Sequence, residues 1–414
     1  MKKIKFILSI VTLVCLGLGF LLGFVAPEFS KSIKFFGDWY IQELKILIGP
    51  VIFASIFVNV LKRQKGSSLV LLKTVGLFVG MFVLTFLMTA GIVALAKPGA
   101  GFVLDNPQDA ASQADFGIVA ILKNLIPTSL EGLFLGKNIF FVIVLAFVTS
   151  IIISFTPIKE KASNVCEVVR KYLGYALEII IFLTPLAVVS LVANVIVTYG
   201  SIIVTVGLKY ILFAWGCSIL AVLLIMILPV WLIAKINPIT YIKKVAKVWL
   251  ISLSTCSSVA TLPHTIKCCN EDFGVDEKIT NVVVPLGCTI HMCGGAVSFA
   301  LLGLFVSQMS GLTLSFGTFM LMILSATLIN MAAPGIPGGG VVIGISYLQI
   351  LNLPITGFYG FYSGIYKILD MPYTTLNVTG DISANVILNH FEKKDEAVPE
   401  TIEQTSIEEK EIKE

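Results

Sequence analysis

Charged residues are scarce in this sequence. Only 13% of its 414 residues are Asp, Glu, Lys or Arg, whereas 57% are hydrophobic. Soluble domains are about 25% charged and about 45–50% apolar, so the composition excludes an ordinary water-soluble domain. The formal net charge of +4 is small and is not gathered into a stripe, which excludes a nucleic-acid footprint. We therefore expect a chain that is surrounded by lipid.

The cysteines lack the spacing of a metal or redox motif. Eight are present, but no two form a Cys-x-x-Cys pair, and most lie in apolar segments. We therefore expect neither disulfide bonds nor a zinc site, and no cofactor. The apolar N-terminal segment also lacks a convincing Ala-x-Ala cleavage site, so we expect a retained span rather than a cleaved signal.

Long apolar runs recur along the chain, most clearly over residues 6–25, 41–61 and 74–96. A helix of about 20 such residues crosses the hydrocarbon core of a bilayer. Basic residues cluster over 2–5 and 62–73, before the first span and after the second, as the positive-inside rule requires. These patterns predict a multi-pass protein of the cytoplasmic (inner) membrane with both termini in the cytoplasm.

Two apolar segments in the C-terminal half are interrupted. Residues 248–264 are broken by Ser257 and Ser258, and a later run is broken over 334–340, a stretch of Pro and Gly. Non-helical backbone at membrane depth survives only inside protein or beside water, so both segments are interpreted as re-entrant hairpins. The span between them is glycine-rich over 287–295 and is predicted to unwind there. Two interrupted segments in corresponding places indicate a transporter's binding site.

The last span, 357–390, carries a polar face. Its polar residues recur at spacings of three, four, three and four, so they share one side of a helix. They are Lys367, Asp370, Thr374, Asn377 and Asp381. Charge at bilayer depth is kept for partners, ions or substrate, and two acids favour cations. A purely structural pair between Lys367 and Asp370 is the alternative, although it leaves Asp381 unexplained.

An enzymatic role is not expected. His291 and Cys293 are the residue types of a thiol–imidazole pair, but two residues apart on a helix they point to different faces. The C-terminal segment 392–414 is highly charged and has few apolar residues, so we expect a disordered cytoplasmic tail.

Four motifs occur in an order and spacing typical of one transporter family. They are CSSVATLP at 256–263, PLGCTIHMCGG at 285–295, PGIPGGG at 334–340 and DMPYTTLNVTGD at 370–381. With them the chain resembles, over about residues 1–391, the dicarboxylate and amino-acid:cation symporters. That family includes bacterial glutamate transporters and the excitatory and neutral amino-acid carriers.

The resemblance implies an all-α, inverted-repeat transporter with about eight transmembrane helices and two re-entrant helical hairpins. It also implies a homotrimer in which a transport domain moves like an elevator against a scaffold. The corresponding division is scaffold helices 1–2 in 1–69, transport helix 3 in 70–97, an external loop and scaffold helices 4–5 in 98–201, and the rest of the transport domain in 202–391, with hairpins at 239–270 and 317–352.

The resemblance implies a substrate site made by both hairpin tips and the last helix. Its residues are Ser257, Ser258, Ile336, Pro337, Gly338, Asp370, Tyr373, Thr374 and Asn377. In the family, the residue matching Asp370 binds the substrate amino group, so we expect an amino acid as substrate. Tyr373 stands where acidic-substrate members carry arginine, and Cys256 stands where some prokaryotic members do. Gly295 replaces a threonine that helps to hold the distal carboxylate, so we expect a neutral rather than an acidic amino acid.

The coupling ion implied by the resemblance is sodium, bound through Asp381. The residues available to cations are Gly287, Thr289, Met292, Asn377 and Asp381. His291 and Cys293 replace the Asn and Asp of a sodium-binding motif, and imidazole and thiol are poor sodium ligands, so we expect fewer coupled sodium ions than in full-motif members. Proton coupling through His291, a weakly coupled exchanger and a substrate-gated channel remain as alternatives.

Overall fold

The computed structural model describes residues 2–61, 68–102, 139–331, 339–353 and 357–411. Those residues form helices and connecting turns, with no β-strand among them. The helices are α1 Lys2–Val25, α2 Pro27–Ser32, α3 Lys34–Leu61, α4 Ser68–Ala96, α5 Ile139–Ser154, α6 Lys159–Phe182, α7 Thr184–Tyr199, α8 Ile202–Ala221, α9 Leu228–Ala234, α10 Pro238–Thr255, α11 Ser258–Lys267, α12 Glu277–Ile290, α13 Cys293–Met309, α14 Phe316–Asn330, α15 Gly339–Ile350 and α16 Gly357–Glu411. A π-helical segment, Val222–Ile227, joins α8 to α9.

Several of these helices have the length and composition of membrane spans. Among the described residues four qualify, at Pro27–Val58, Val70–Ala96, Ile202–Ala234 and Glu277–Met309, and a bent pair from Lys159 to Tyr199 raises the number to five. Their outer faces are apolar, since Leu212 and Leu84 are 69% and 58% exposed. Large apolar surfaces of this kind need lipid. The chain is a multi-pass membrane protein, and the count of about eight spans stays a prediction.

Shorter apolar helices supplement these spans at Ile10–Val25, Phe141–Ser154 and Phe316–Asn330. The helices form two groups, and each helix contacts mainly other members of its own group. In the first, α1 lies against α7, and α3 lies against α5 and α6. In the second, α4 lies against α13, and α16 contacts α8, α10, α11, α12 and α13. The two groups meet chiefly where α7 packs on α16.

The last helix, α16, occupies the centre of the second group. From Phe358 to Asn389 nearly all of its residues are buried, including the polar side chains of Asp370, Asn377 and Asp381. A helix that is buried on every face must find partners for each polar group it carries. These partners come from the helix ends and breaks that surround α16.

Three breaks between consecutive helices lie in the middle of this group. The first separates α10 from α11 at Cys256 and Ser257, where the hairpin was predicted to break. The second separates α12 from α13 at His291 and Met292, which confirms the predicted unwinding within 287–295. The third lies between α14 and α15, and its residues 332–338 are outside the described part of the chain.

The last helix extends into the C-terminal segment. It continues through Glu411, and the disorder expected for residues 392–414 stays a prediction. Glu and Lys, which are common in this segment, are strong helix formers, and the helix already extends from a long buried stretch that supplies its nucleus. Glu392, the first residue of this segment, forms an ion pair with Lys73 of α4 at 2.9 Å.

Candidate functional site

A cavity lies where the interruptions meet α16. It is lined by the break between α10 and α11, the break between α12 and α13, the end of α14, the start of α15, and one face of α16. The lining residues are Cys256, Ser257, Ser258, Met292, Gly295, Ser298, Phe299, Asn330, Gly340, Ile343, Tyr366, Asp370, Tyr373, Thr374 and Asn377. The structure therefore brings together Ser257, Ser258, Asp370, Tyr373, Thr374 and Asn377 of the predicted substrate site.

The break between α10 and α11 presents a helix N-terminus to the cavity. Cys256 ends α10 in a left-handed conformation, with φ 49° and ψ 41°. Ser257 then caps α11, because its hydroxyl accepts a hydrogen bond from the Ala260 N–H at 3.2 Å. The Thr261 hydroxyl donates to the Ser257 carbonyl oxygen at 2.9 Å. The first N–H groups of a helix and its macrodipole favour an anion such as a carboxylate.

The polar face of α16 supplies the opposite charge. Asp370 lines the cavity, and the Thr374 hydroxyl one turn later donates to its Oδ1 at 3.3 Å. One turn further, Asn377 Oδ1 accepts a hydrogen bond from the Gly294 N–H at 2.7 Å. The sequence spacing thus predicted the shared face correctly. A carboxylate beside hydroxyl and amide groups suits an ammonium, which is a hydrogen-bond donor only.

Two glycines at the start of α13 allow the surrounding elements to approach closely. A Cβ at Gly294 would overlap the backbone of Tyr373 on α16. A Cβ at Gly295 would overlap Oδ1 of Asn330, at the end of α14. The absence of these two side chains therefore determines both how α13 packs on α16 and where the Asn330 amide lies.

A second polar cluster lies around Asp381, and it is closed. Asp381 Oδ1 is 2.9 Å from His291 Nδ1, and His291 Nε2 is 3.0 Å from Cys293 Sγ. The imidazole stacks on the ring of Phe78 from α4, with centroids 4.2 Å apart and an interplanar angle of 9°. All three polar side chains are buried. They form a hydrogen-bonded chain of carboxylate, imidazole and thiol.

This chain corrects one expectation. His291 and Cys293 were predicted to point to different faces of a helix, but they are in contact. The helical rule does not apply to them, because His291 ends α12 and Cys293 begins α13. The turn of backbone at His291, with φ −101° and ψ 85°, brings the imidazole back over the thiol.

The predicted cation residues are divided between the two places. Gly287 lies against Asp381, so closely that a Cβ would overlap the carboxylate. Met292 and Asn377 line the cavity instead. Thr289 donates its hydroxyl to the Leu286 carbonyl at 2.8 Å, within its own helix. Over the described part of the chain, no three His, Cys, Asp or Glu side chains are arranged to share one metal ion.

Some residues that line the cavity were not predicted from the sequence, and some predicted residues lie outside the described part of the chain. Ser298, Phe299, Asn330, Gly340, Ile343 and Tyr366 line it without having been predicted. Asn330 had a usable signal, since it is the only Asn or charged residue of the apolar helix α14 and closes it. Ile336, Pro337 and Gly338 lie outside the described residues.

Lys367 lies on the same helix as Asp370 and was considered as its structural partner. The ammonium is close enough to the Cys256 thiol to interact with it, and Asp370 interacts with the same thiol. Lys367 and Asp370 therefore both lie within interaction distance of the Cys256 thiol, at the break between α10 and α11. Whether Lys367 neutralises Asp370 or acts as an internal cation stays an open prediction.

Comparison with known proteins identifies a matching family and several relatives of this chain. The model of the sodium:dicarboxylate symporter family matches residues 8–391. A candidate sodium-dependent excitatory amino acid transporter of Caenorhabditis elegans is 29% identical over 91% of this chain and 87% of its own length. The C4-dicarboxylate transport protein of Rhizobium leguminosarum is 26% identical over 94% of this chain and 89% of its own.

A shorter similarity concerns a mammalian protein. Excitatory amino acid transporter 5 of Mus musculus is 38% identical over 42% of this chain and 31% of its own length. The family and these relatives are transporters rather than enzymes. Since the family model spans most of the sequence, including both helix breaks and the polar face of α16, the chain belongs to the sodium:dicarboxylate symporter family.

Proposed function

We propose that this protein is a secondary active symporter that carries an amino acid, neutral rather than acidic, across the cytoplasmic membrane together with sodium. The observation that carries the proposal is that one cavity is lined both by the Asp370 carboxylate and by the N-terminal end of α11. An amino acid has an ammonium for the first and a carboxylate for the second. Thr374 and Asn377 lie beside them as further polar contacts.

The charge of the residues that line the cavity favours a substrate with an uncharged side chain. Among the described residues that line the cavity, Asp370 is the only one with a charged side chain, and none is an arginine. A second substrate carboxylate would therefore enter a site with no guanidinium to receive it, and an unpaired buried charge is costly. Tyr373, where the resemblance predicts a difference from acidic-substrate members, is buried in the cavity wall. This preference departs from the substrates in the relatives' names.

The surroundings of Asp381 support coupling to fewer sodium ions. Its Oδ1 already pairs with His291, and hard oxygen ligands on that side are replaced by imidazole and thiol. The remaining oxygen of Asp381 and the carbonyl groups of Asn377 and Gly287 are the ligands that we assign to one sodium ion. Thr289, Met292 and the backbone of the outer hairpin, 317–352, are those that we assign to another.

The motion that we propose is an elevator movement within a homotrimer. The helices around α16, together with α4 and both hairpins, would carry the cavity across the membrane as one body. The first group, built on α1, α3 and α7, would form the scaffold and the trimer contacts. The proposal rests on membership of the family and on the two groups of helix contacts.

The test is uptake of labelled alanine, serine and aspartate into proteoliposomes, with and without an inward sodium gradient. We expect sodium-driven accumulation of alanine and serine. Asp370→Asn should lower it by at least about 30-fold, because losing a buried charged partner costs about 2–5 kcal/mol. Asp38→Asn is the matched control, since Asp38 is 51% exposed and forms an ion pair with Lys34 at 2.7 Å on α3.

The alternatives give different results in the same vesicles. Preference for aspartate, or sodium-independent uptake, would contradict the proposal. Accumulation driven by an imposed pH gradient would instead favour proton coupling through His291. Exchange of internal for external substrate without net accumulation would indicate an exchanger, and a substrate-dependent current without accumulation would indicate a channel.

A further inference from the structure

Asn330 is a polar group of the cavity that the proposed function does not use. It is the last residue of α14 and only 2% exposed. Its Oδ1 has no hydrogen-bond partner among the described residues, and its Nδ2 donates to the Ile290 carbonyl at 3.5 Å. An unsatisfied buried acceptor costs about 1–3 kcal/mol, and more than 90% of buried polar groups have partners. An unpaired acceptor that lines a cavity therefore points to a donor on the ligand.

The orientation of this amide follows from its neighbours. Oxygen and nitrogen of an asparagine are assigned from the hydrogen bonds they make. If the amide were rotated by 180°, Oδ1 would approach the Ile290 carbonyl oxygen, and two acceptors would face each other. The observed orientation instead leaves Oδ1 beside Gly295, in the space that a Cβ at that position would fill. Gly295 also lines the cavity, so the acceptor lies against a residue of the cavity wall.

The surroundings of Asn330 are polar but uncharged. We call Gly295, Ser298, Asn330 and Tyr373 the distal pocket, and all four line the cavity. The Ser298 hydroxyl is 3.2 Å from that of Tyr362, and the Tyr373 hydroxyl lies near Ser298. Two atoms of the described pocket have no hydrogen-bond partner, Asn330 Oδ1 and the Tyr373 hydroxyl. The hydroxyl can donate as well as accept, whereas Asn330 Oδ1 can only accept.

We propose that Asn330 is a specificity-determining residue, and that its Oδ1 selects amino acids whose side chain carries an uncharged hydrogen-bond donor, a hydroxyl or a carboxamide. This inference rests on the proposed function and names its substrate class. Alanine offers no donor and leaves Oδ1 unsatisfied. The side chain of aspartate at neutral pH offers only acceptors, which oppose Oδ1. The hydroxyl of serine can donate a hydrogen bond to Oδ1 and thereby satisfies it.

The experiment is equilibrium binding of labelled L-serine, L-alanine and L-aspartate to the purified full-length protein in sodium buffer. We expect serine to bind about tenfold more tightly than alanine, the equivalent of one hydrogen bond. Asn330→Ala should remove this difference by weakening serine, while alanine affinity stays within about threefold. Asn330→Leu also lacks the acceptor but retains most of the volume, so it makes the same test if the alanine variant does not fold.

Asn385→Ala is the matched control. Asn385 is a buried asparagine of α16 whose Nδ2 donates to the Thr280 hydroxyl at 3.0 Å, and it does not line the cavity. Its replacement should leave the serine-to-alanine ratio unchanged. A ratio near one in the wild type, an unchanged ratio in both Asn330 variants, or preference for aspartate would overturn the inference. If the protein accumulates alanine with sodium but the Asn330 variants keep the serine-to-alanine affinity ratio, only the inference about Asn330 is overturned. If none of the three ligands binds, the proposed function is overturned as well.

Discussion

Asp370 and Asp381 lie on one face of α16, yet their surroundings differ. Asp370 borders a cavity, with the Thr374 hydroxyl as a hydrogen-bond donor at 3.3 Å. Asp381 is enclosed by protein, with His291 at 2.9 Å and Gly287 pressed against the carboxylate. Residue type and helix are the same in both places. What differs is whether the neighbouring elements leave room for a substrate or fill most of the space themselves.

The helix breaks produce this difference. At Asp370, the turn at Cys256 and Ser257 presents a helix end and little side-chain volume. At Asp381, the turn at His291 directs an imidazole inward, and Phe78 of α4 covers it. The polar groups of the closed cluster satisfy one another, while Asn330 in the cavity has an acceptor left over. Satisfied polar groups stabilise the fold, and an unsatisfied group beside a cavity is available for recognition.

The largest effect that we predict is on the closed cluster. His291→Ala removes the partner of the Asp381 carboxylate, the contact with Cys293 and the stack on Phe78. A buried group left without its hydrogen-bond partner costs about 1–3 kcal/mol, and truncating a large buried side chain costs about 3–5 kcal/mol. The free energy of unfolding should therefore fall by about 3–5 kcal/mol. Thermal unfolding of the purified protein in detergent would measure the change.

His390→Ala is the control for this replacement, because His390 is exposed and its ring lies beside that of Phe391, with centroids 6.0 Å apart. It should unfold like the wild type. Equal stability of the two variants would mean that the cluster around Asp381 is not a closed structural unit, and the comparison with Asp370 would be lost.

A smaller effect should follow from a change at the wall of the cavity. Gly294→Ala places a Cβ against the backbone of Tyr373 and disturbs the hydrogen bond from the Gly294 N–H to Asn377. Overpacking of this kind costs about 1–3 kcal/mol, and here the strain also displaces the polar face of α16. We expect both lower stability and weaker alanine binding. Gly80→Ala is the control, since a Cβ there meets nothing within 4 Å. If Gly294→Ala behaves like it, α13 and α16 are not held in fixed contact.

Local patterns in the sequence were sufficient for much of this site. Helical spacing alone grouped Asp370, Thr374 and Asn377, and the structure places all three at the cavity. Glycine content predicted the unwinding near 291, and paired serines predicted the break at 257. These are short-range properties, and the physical rules behind them act over one or two turns.

Long-range contacts were not accessible in the same way. The approach of Asn330 to Gly295 joins residues 35 positions apart, and the stack of Phe78 on His291 joins two distant helices. The contact between His291 and Cys293 was missed for a different reason. The same unwinding that the glycines predicted invalidates the helical geometry that was used to separate the two side chains.

The smallest effect distinguishes a helix cap that serves the cavity from one that serves only its helix. Ser257→Ala and Ser315→Ala each remove an N-cap, because the two hydroxyls accept from the Ala260 and Thr318 N–H groups at 3.2 and 3.1 Å. Each should lower the free energy of unfolding by about 1 kcal/mol. Only Ser257 lines the cavity, so only Ser257→Ala should also weaken alanine binding, by about three- to tenfold. Binding assays on both variants at matched stability would separate the two contributions. Equal binding by the two would mean that the Ser257 hydroxyl serves only as the cap of α11 and contributes nothing to binding of the substrate carboxylate.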